Sequence, residues 1–207
     1  IHEKIKSTQE QFKKKKLFNK AKHIICISNQ TKKDLINVYK IDKNKISVIY
    51  LGTEKKKLKI KKKKDFILFV GSRIRYKNFK KLVQAFASSK YLRKKYKIIC
   101  YGGNDFENQE LKFFESLGVR EKIIYLKGDD SRLEKLYREA SLYISLSLFE
   151  GFGLTLLEAM NFKCPVVCSD IPVFREIYKD SCIYVNPKNV TNIKIGIENV
   201  LKSQHKQ

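Results

Sequence analysis

The sequence is poor in the residues that most often build metal centres and hydrolytic triads. It has no tryptophan, one methionine, three prolines and three histidines among 207 residues. His2 and His205 lie near the termini and His23 opens a predicted strand, so a structural or solvent-facing role is favoured for each. No apolar run reaches the roughly 20 residues that span a bilayer, and the first residues lack the apolar core of a signal peptide. We therefore expect a cytoplasmic protein without a metal site.

The five cysteines are arranged unlike a disulfide framework or a zinc site. Their number is odd, they are scattered along the chain, and no two of them form a C-x-x-C pair. Most lie in apolar, strand-like runs, which indicates reduced thiols in a protein core. They are Cys26, Cys100, Cys164, Cys168 and Cys182.

Acidic residues are also scarce, because 21 of them face 45 lysines and arginines, for a net charge of +24. Much of the excess lies in lysine runs at residues 13–16, 55–57 and 61–64. These runs lack the arginine clusters and interleaved aromatic residues of a nucleic-acid surface, so no nucleic-acid partner is expected. Two interpretations stay open: solvated lysines, or weak peripheral contact with an anionic membrane at the inner face of the plasma membrane.

Short apolar runs alternate with segments of helical period along the chain. Runs that are apolar on both faces predict parallel strands covered by helices, and hence a doubly wound, Rossmann-like α/β sheet. The runs are HIICIS, ISVIYLG, FILFVG, KIICYGG, KIIYL, SLYISLSL, PVVCSD and CIYV. The helical segments between the later runs are residues 78–92, 107–117, 131–140, 151–162 and 190–202.

A lysine-rich stretch at residues 56–65 is interpreted as a linker. It separates residues 66–207, the predicted Rossmann-like domain, from residues 1–55, which have the pattern of helix, strand, helix and strand. The first part is too small for a two-faced α/β layer. We expect it to complete a sheet whose other strands are not in this sequence.

Cationic residues follow the strand FILFVG. Gly71 ends that strand, and Arg73, Arg75 and Lys77 come before the next predicted helix, which starts near Asn78. Ligands of open α/β sheets bind at the carboxyl ends of the strands, where a glycine lets backbone amides approach a phosphate and cations can neutralise it. The alternative is a tight turn with solvent-facing cations.

A pair of glutamates frames the segment SLFEGFGLTLLEAM. Glu150 lies in a predicted loop with Gly151 and Gly153, and Glu158 lies two turns into the helix that follows. A carboxylate in that position can accept both hydroxyls of a ribose, and the start of the helix offers free amides to a phosphate. The alternative is a helix-start carboxylate followed by an exposed helical glutamate.

Several motifs in the same order resemble glycosyltransferase family 4 (group 1), which has the two-domain GT-B architecture. The motifs are HIICISNQTKKDL, FVGSRIRYKNFKKLVQAF, GDDSRLEKLYREASLYISLSLFEGFG, EGFGLTLLEAM and CPVVCSDIPVFREI. The resemblance covers nearly all of residues 23–200. It implies that residues 66–207 are a donor-binding C-terminal domain and that residues 1–55 are the end of an acceptor-binding N-terminal domain.

The resemblance also implies roles for single residues. Glu158 would bind the ribose, and Glu150 would contact the transferred sugar or its phosphate as the catalytic residue. The backbone amides of Phe152, Gly153 and Leu154 would lie beside the donor.

Other implied contacts belong to the diphosphate. Lys77 matches the lysine that holds it, whereas the arginine that usually follows the glycine of this motif is Ser72 here, so Arg73 or Arg75 would replace it. Gly71 and Ser72 would form the donor-binding loop, and Gly102 and Gly103 resemble the second glycine turn under the nucleotide.

The implied function is that of a retaining hexosyltransferase in surface glycan biosynthesis. The donor would be a nucleoside diphosphate sugar, with GDP-mannose favoured by the motif FVGSRIRYKN, and the acceptor a glycan or a lipid-linked sugar. No metal or other cofactor is expected. The alternative is a non-catalytic module or subunit that binds a nucleotide sugar.

Overall fold

Helices and strands alternate through the part of the chain that the computed structural model describes, residues 8–54 and 62–204. The strands are β1 Ile24–Cys26, β2 Ile46–Val48, β3 Lys64–Val70, β4 Lys97–Tyr101, β5 Ile123–Leu126, β6 Ala140–Ser145, β7 Val166–Ser169 and β8 Ile183–Val185. The helices are α1 Thr8–Lys20, α2 Asn29–Tyr39, α3 Phe79–Ala87, α4 Lys90–Lys95, α5 Asn108–Ser116, α6 Asp130–Glu139, α7 Leu154–Asn161, α8 Pro172–Tyr178 and α9 Val190–Ser203.

All eight predicted strands are confirmed. Strand β3 begins at Lys64, so residues 64–65 of the predicted linker belong to this strand. The rest of the linker that precedes residue 62 lies outside the described residues, as do the lysines at 55–57 and 61 and the histidines His2 and His205.

The helices differ from the prediction in two places. The segment at 78–92 forms two helices, because Ser88 ends α3 and the hydroxyl of Ser89 accepts a hydrogen bond from the Leu92 amide to begin α4. Helix α8 was not predicted, although its first residue is Pro172, a residue favoured at that position.

Contacts divide the chain into two units. The first comprises the residues up to Gly52 together with Phe149–Gly153 and Ile171–Lys179, and the second contains the remainder. Helix α8 and part of the loop after β6 therefore belong to the first unit, in addition to α1, β1, α2 and β2.

The first unit holds a parallel pair of strands, β1 and β2, and a small core around Cys26, Leu35 and Ile46. Its helix α2 is capped twice at the amino end. The hydroxyl of Ser28 accepts a hydrogen bond from the Thr31 amide, and the carboxylate of Glu176 in α8 accepts from the first two amides of the helix. A negative group at this end of a helix is stabilising because the free amides carry partial positive charge.

The second unit contains a six-stranded sheet in the order β5-β4-β3-β6-β7-β8, and all its neighbouring strands are parallel. Along the chain, strands are added in one direction from β3 to β5 and in the other from β6 to β8. The order thus reverses between β3 and β6, which confirms the doubly wound topology.

Successive side chains of the central strands enter different layers. Ile67 and Phe69 of β3 join the main core with residues of α3, α4, α5 and α9. On the other face, Tyr143 of β6 packs its ring edge-on against Tyr137 of α6 and donates its hydroxyl to Thr155 of α7 at 2.7 Å. Helices therefore cover both faces of the sheet, as the apolar runs predicted.

The cysteines are free thiols, as predicted from their spacing. Four of them are buried and Cys182 is partly exposed. Burial raises the pKa of the Cys164 thiol to about 12. The neutral thiol is therefore the stable form of this residue at neutral pH.

Candidate functional site

The loops after β3 and β6 lie side by side at the carboxyl edge of the second unit's sheet. The amide of Leu148, after β6, donates to the carbonyl of Tyr76, after β3, at 2.8 Å. The strand order reverses between these two strands. Ligands of doubly wound proteins bind at this position.

Two glycine turns bring the loops after β3 and β4 into close approach. Gly71 donates its amide to the carbonyl of Tyr101 at 2.8 Å. Gly103 has a φ of +75°, and a Cβ placed on it would lie 3.0 Å from the Cα of Ser72. A side chain at Gly103 would therefore push the two loops apart. The packing of the loops thus requires a glycine here, independently of the place under a nucleotide that the resemblance implies.

Lys77 and Arg75 lie in a single helical turn at Arg75–Lys77, just before α3. Arg75 is exposed and Lys77 is half-buried, with its ammonium 5.4 Å from the centre of the Tyr76 ring. Asn78 closes the turn in a left-handed conformation and donates its side-chain amide to the carbonyl of Pro187 at 2.7 Å. The turn is therefore anchored at its end, and its two cations lie at the carboxyl edge of the sheet.

The guanidinium of Arg73 is held inside the second unit. Its Nε lies 2.7 Å from the Glu110 carboxylate, and its Nη2 donates to the carbonyls of Asn104 and Asp105 at 2.7 and 3.0 Å. The ring of Phe106 stacks on it at 4.7 Å. These partners all follow β4 in the chain.

The ion pair between Arg73 and Glu110 is largely buried. Only 6% of its side chain is exposed, and 18% of that of Glu110. The remaining nitrogen, Nη1, is buried without a hydrogen-bond partner. The ion pair therefore ties the loop after β3 to α5, and the role of Arg73 at a diphosphate stays a prediction.

Glu158 lies one turn inside α7, and the carboxylate is oriented by a tyrosine. The hydroxyl of Tyr137, in α6, donates to Oε2 of Glu158 at 2.9 Å. The Tyr137 ring is 1% exposed and stacks on Phe162 with 5.9 Å between ring centres. Sequence reasoning missed Tyr137, because a tyrosine on the apolar face of a helix has the pattern of an ordinary core residue.

A cavity of about 300 Å³ opens beside Glu158, between α6 and α7. One side is closed by residues 53–54, since the side-chain amide of Asn161 donates to the hydroxyl of Thr53 and the carbonyl of Glu54. Four of its lining residues are acidic: Glu54, Asp130, Glu134 and Glu158. This concentration of carboxylates is unusual in a chain with a net charge of +24.

The loop that carries Glu150 belongs to the first unit. There the hydroxyl of Tyr178, in α8, donates to the carbonyl of Gly153 at 2.7 Å and approaches that of Phe152 at 3.3 Å. Gly153 has a φ of +93°. The loop that carries Glu150 is thus held by its backbone.

The predicted site residues are therefore distributed over both units. The second unit contains Gly71, Ser72, Arg73, Arg75, Lys77, Gly102, Gly103, Leu154 and Glu158, and the first contains Glu150, Phe152 and Gly153. Within the second unit the structure joins the loops after β3, β4 and β6 and places Glu158 at a cavity. The individual roles of all these residues stay predictions.

Residues 8–54 and 62–204 contain no cluster of three or more histidine, cysteine or acidic side chains arranged to hold a metal ion. Among the helices described, none has the length and apolar character needed to cross a bilayer.

An open parallel sheet whose strand order reverses at its centre is the doubly wound class of α/β domain. Comparison with known families is specific: the profile of "Glycosyl transferases group 1" matches residues 52–207, and that of "Glycosyltransferase Family 4" matches residues 2–57. The chain belongs to the group 1 glycosyltransferase family. This confirms the resemblance seen in its motifs.

Curated relatives include two bacterial mannosyltransferases. The chain is 30% identical over 184 residues to O-antigen chain mannosyltransferase RfbU of Salmonella typhimurium, covering 87% of this chain and 51% of the relative. It is 33% identical over 135 residues to O-antigen chain mannosyltransferase B of Escherichia coli, covering 64% and 35%. The chain therefore spans about half the length of RfbU and about a third of the length of mannosyltransferase B.

Solved structures agree on the fold. Sucrose-phosphate synthase from Thermosynechococcus elongatus matches with a TM-score of 0.80 at 19% identity, over 97% of this chain and 56% of that one. The architecture is GT-B, and the chain corresponds to part of it.

Proposed function

We propose that this chain carries the donor-binding domain of a retaining glycosyltransferase that takes a sugar from a nucleoside diphosphate and passes it to an acceptor hydroxyl. GDP-mannose is the proposed donor, and a glycan or lipid-linked sugar of a surface polysaccharide the acceptor. Family membership supports the glycosyl transfer. Two relatives are named O-antigen mannosyltransferases, which supports mannose as the transferred sugar and a surface polysaccharide as the product.

One observation carries the proposal at the level of the site: Glu158 borders a cavity of nucleoside size. The cavity's volume of about 300 Å³ lies at the lower end of the ~300–1,000 Å³ range of small-molecule sites. Asp130 begins α6, so the cavity starts at the carboxyl edge of the sheet and continues between α6 and α7. Glu158 would accept the ribose hydroxyls there, and Lys77 would hold the diphosphate.

The acidic lining favours guanine as the base. An ionised carboxylate only accepts hydrogen bonds. Guanine offers three N–H bonds on one edge, from N1 and N2, whereas uracil offers a single N–H between two carbonyl oxygens. Glu54 or Asp130 can accept from guanine, and both would repel the carbonyl edge of uracil, whereas Glu134 is paired with Arg138 at 3.4 Å. They would also keep the phosphates outside the cavity, on the side of the cations.

No metal is part of the proposal. The leaving diphosphate would be stabilised by Lys77, by Arg75 and by backbone amides at the start of α7. Fixed cations and amides that already point to the site can stabilise developing negative charge without an ion.

Calorimetry with the purified chain tests the donor class. We expect GDP to bind at least about tenfold more tightly than UDP or ADP, since each hydrogen bond from a base to a carboxylate contributes about 1.5–3 kcal/mol. EDTA should leave the GDP affinity unchanged. The control is Glu121→Gln, which removes an exposed carboxylate that is not in the cavity lining. Tighter binding of UDP would contradict the guanine assignment, and dependence on Mg²⁺ or Mn²⁺ would contradict the metal-free site.

The basic helix α1 supports a second partner, an anionic lipid surface. Lysines 13–16 are all exposed, and Phe12 and Leu17 at either end of this run are 74% and 67% exposed. Lysines near an anionic membrane are attracted to it, and exposed apolar side chains can enter the headgroup region. We propose peripheral contact through this helix, which would bring the enzyme to a lipid-linked acceptor.

Vesicle sedimentation tests this contact. The chain should bind vesicles that contain phosphatidylglycerol and not those of phosphatidylcholine alone, with affinity that falls as salt is raised. Replacing lysines 13–16 with glutamine should weaken binding at least about tenfold. The control replaces four exposed lysines of the second unit, Lys94, Lys97, Lys112 and Lys127, for the same loss of charge. Equal loss in both variants would show attraction by net charge only and reject a role for α1.

A further inference from the structure

Tyr137 is the buried member of a contact with Glu158. Its ring is enclosed between Tyr143, edge-on at 5.7 Å between ring centres, and Phe162, stacked at 5.9 Å. Only the hydroxyl reaches a charged group, which is Oε2 of Glu158 at 2.9 Å. Since the ring is 1% exposed and packed on both sides, the hydroxyl has little freedom to move.

This contact fixes the carboxylate without saturating it. A carboxylate has about four lone-pair positions, and the tyrosine hydrogen occupies one. The others remain available to a ligand in the cavity that Glu158 and Tyr137 both line. Two neighbouring hydroxyls of a ribose require both oxygens of the carboxylate in a defined plane, and the hydrogen bond from Tyr137 sets that plane.

The hydroxyl of Tyr137 stays a donor at physiological pH. Burial, with the nearby charge of Glu158, raises the pKa of Tyr137 far above the value of a free tyrosine. The proton therefore remains on the tyrosine, and the carboxylate remains the acceptor. A phenylalanine at this position would fill the same space and leave Glu158 free to rotate.

We propose that Tyr137 is a positioning residue for nucleoside recognition, which acts by holding the Glu158 carboxylate in the orientation that accepts the ribose 2′- and 3′-hydroxyls. The proposal rests on the proposed function, because it assumes a nucleoside in the cavity. It goes further in assigning part of the ribose affinity to a residue that acts through Glu158.

Loss of affinity alone would not distinguish positioning from packing. A buried tyrosine also supports α6 and α7, so its replacement could weaken binding of any ligand. The two roles separate if the ligand is changed together with the protein. A positioning role predicts that the effect of Tyr137 disappears when the ribose has no hydroxyls, and a packing role predicts the same loss with both ligands.

The experiment measures the dissociation constants of GDP and 2′,3′-dideoxy-GDP by calorimetry for four proteins: unmodified, Tyr137→Phe, Glu158→Gln and Tyr96→Phe. Tyr137→Phe should lose about tenfold in affinity for GDP, the usual value of one well-placed hydrogen bond to a charged group. Its affinity for dideoxy-GDP should change less than about twofold. Tyr96→Phe is the matched control, since it removes another buried hydroxyl, 3.5 Å from that of Tyr91. It should bind both ligands like the unmodified protein.

The outcomes separate this proposal from the proposed function. Equal loss for both ligands in Tyr137→Phe, or no loss for either, overturns the positioning role. If Glu158→Gln in that case loses affinity for GDP and not for dideoxy-GDP, the ribose site is supported and Tyr137 has no part in it. If Glu158→Gln changes the affinity for both ligands equally, the ribose assignment fails and this proposal fails with it. If Tyr137→Phe does not fold, Tyr137→Met can be used for the same comparison, because methionine also lacks a hydroxyl and its flexible side chain can adapt to the space.

Discussion

Replacing Arg73 with alanine is expected to lower the free energy of unfolding by about 3 kcal/mol, because it leaves a largely buried carboxylate without its partner. Arg73 Nε and Glu110 Oε1 are 2.7 Å apart, and 18% of the Glu110 side chain is exposed. The substitution also removes two hydrogen bonds to the carbonyls of Asn104 and Asp105 and the contact with Phe106. Urea unfolding measures the effect, and the melting temperature should fall by roughly 6–12 °C.

Two further variants identify the cause of this loss. Arg75→Ala removes the same side chain from an exposed position of the same loop and should change stability by less than about 0.5 kcal/mol. The double variant Arg73→Ala, Glu110→Ala should lose less than the sum of the two single variants, since it leaves no unpaired charge. If Arg73→Ala has unchanged stability and weakened GDP binding, the diphosphate role predicted from the sequence is correct and the structural role is wrong.

Replacing Lys77 with alanine is expected to weaken GDP binding by about 1.5–3 kcal/mol, which is roughly 10- to 150-fold. Lys77 is the half-buried cation of the anchored turn after β3, beside the loop that follows β6. An ammonium there would contribute charge-assisted hydrogen bonds to the diphosphate. Guanosine, which has no phosphate, should bind the variant and the unmodified protein alike.

The comparison between ligands is the internal control for Lys77. Calorimetry with GDP, GMP and guanosine should give a loss that shrinks as phosphates are removed. Lys94→Ala, which removes an exposed lysine from α4, should bind all three ligands normally and corrects for the general effect of charge. An equal loss for guanosine would exclude a phosphate contact.

The sheet could be predicted from the sequence because its signal is local. Each strand is a short, mostly apolar run that contains isoleucine or valine, and β6 and the centre of β3 are buried on both faces. The order of the strands, with its reversal between β3 and β6, follows from pairing across the chain. It could be expected only from the general behaviour of βαβ units and from the family resemblance.

The helices show where local signals are missed. The break between α3 and α4 is made by Ser89, a good helix cap, inside a stretch that otherwise keeps its helical period. Helix α8 is only seven residues long and follows a strand after two residues, so its apolar period has little room to develop. Pro172 at its first position was the available sign.

The sequence predicts a place for the candidate site, which stays a prediction, and it does not predict the contacts of the residues there. Glycines and cations after β3 indicated the ligand edge of the sheet, because that edge is set by topology. The partner of Arg73 is Glu110, 37 residues further along the chain, and that of Glu158 is Tyr137 on a neighbouring helix. Such pairs depend on how separate elements pack, and a single sequence carries no direct signal for them.

The carboxylate of Glu176 at the start of α2 joins parts of the chain that are 147 residues apart, and its bonds to the amides of Asn29 and Gln30 are 2.6 and 2.9 Å long. Helix α8 thus stabilises the amino-terminal segment by capping α2. A protease that cuts the peptide bond after Lys56 would leave the two products attached to one another through these contacts until they are denatured. If the same two pieces were produced as separate polypeptides, the first unit would have to form by association, and its stability would depend on protein concentration.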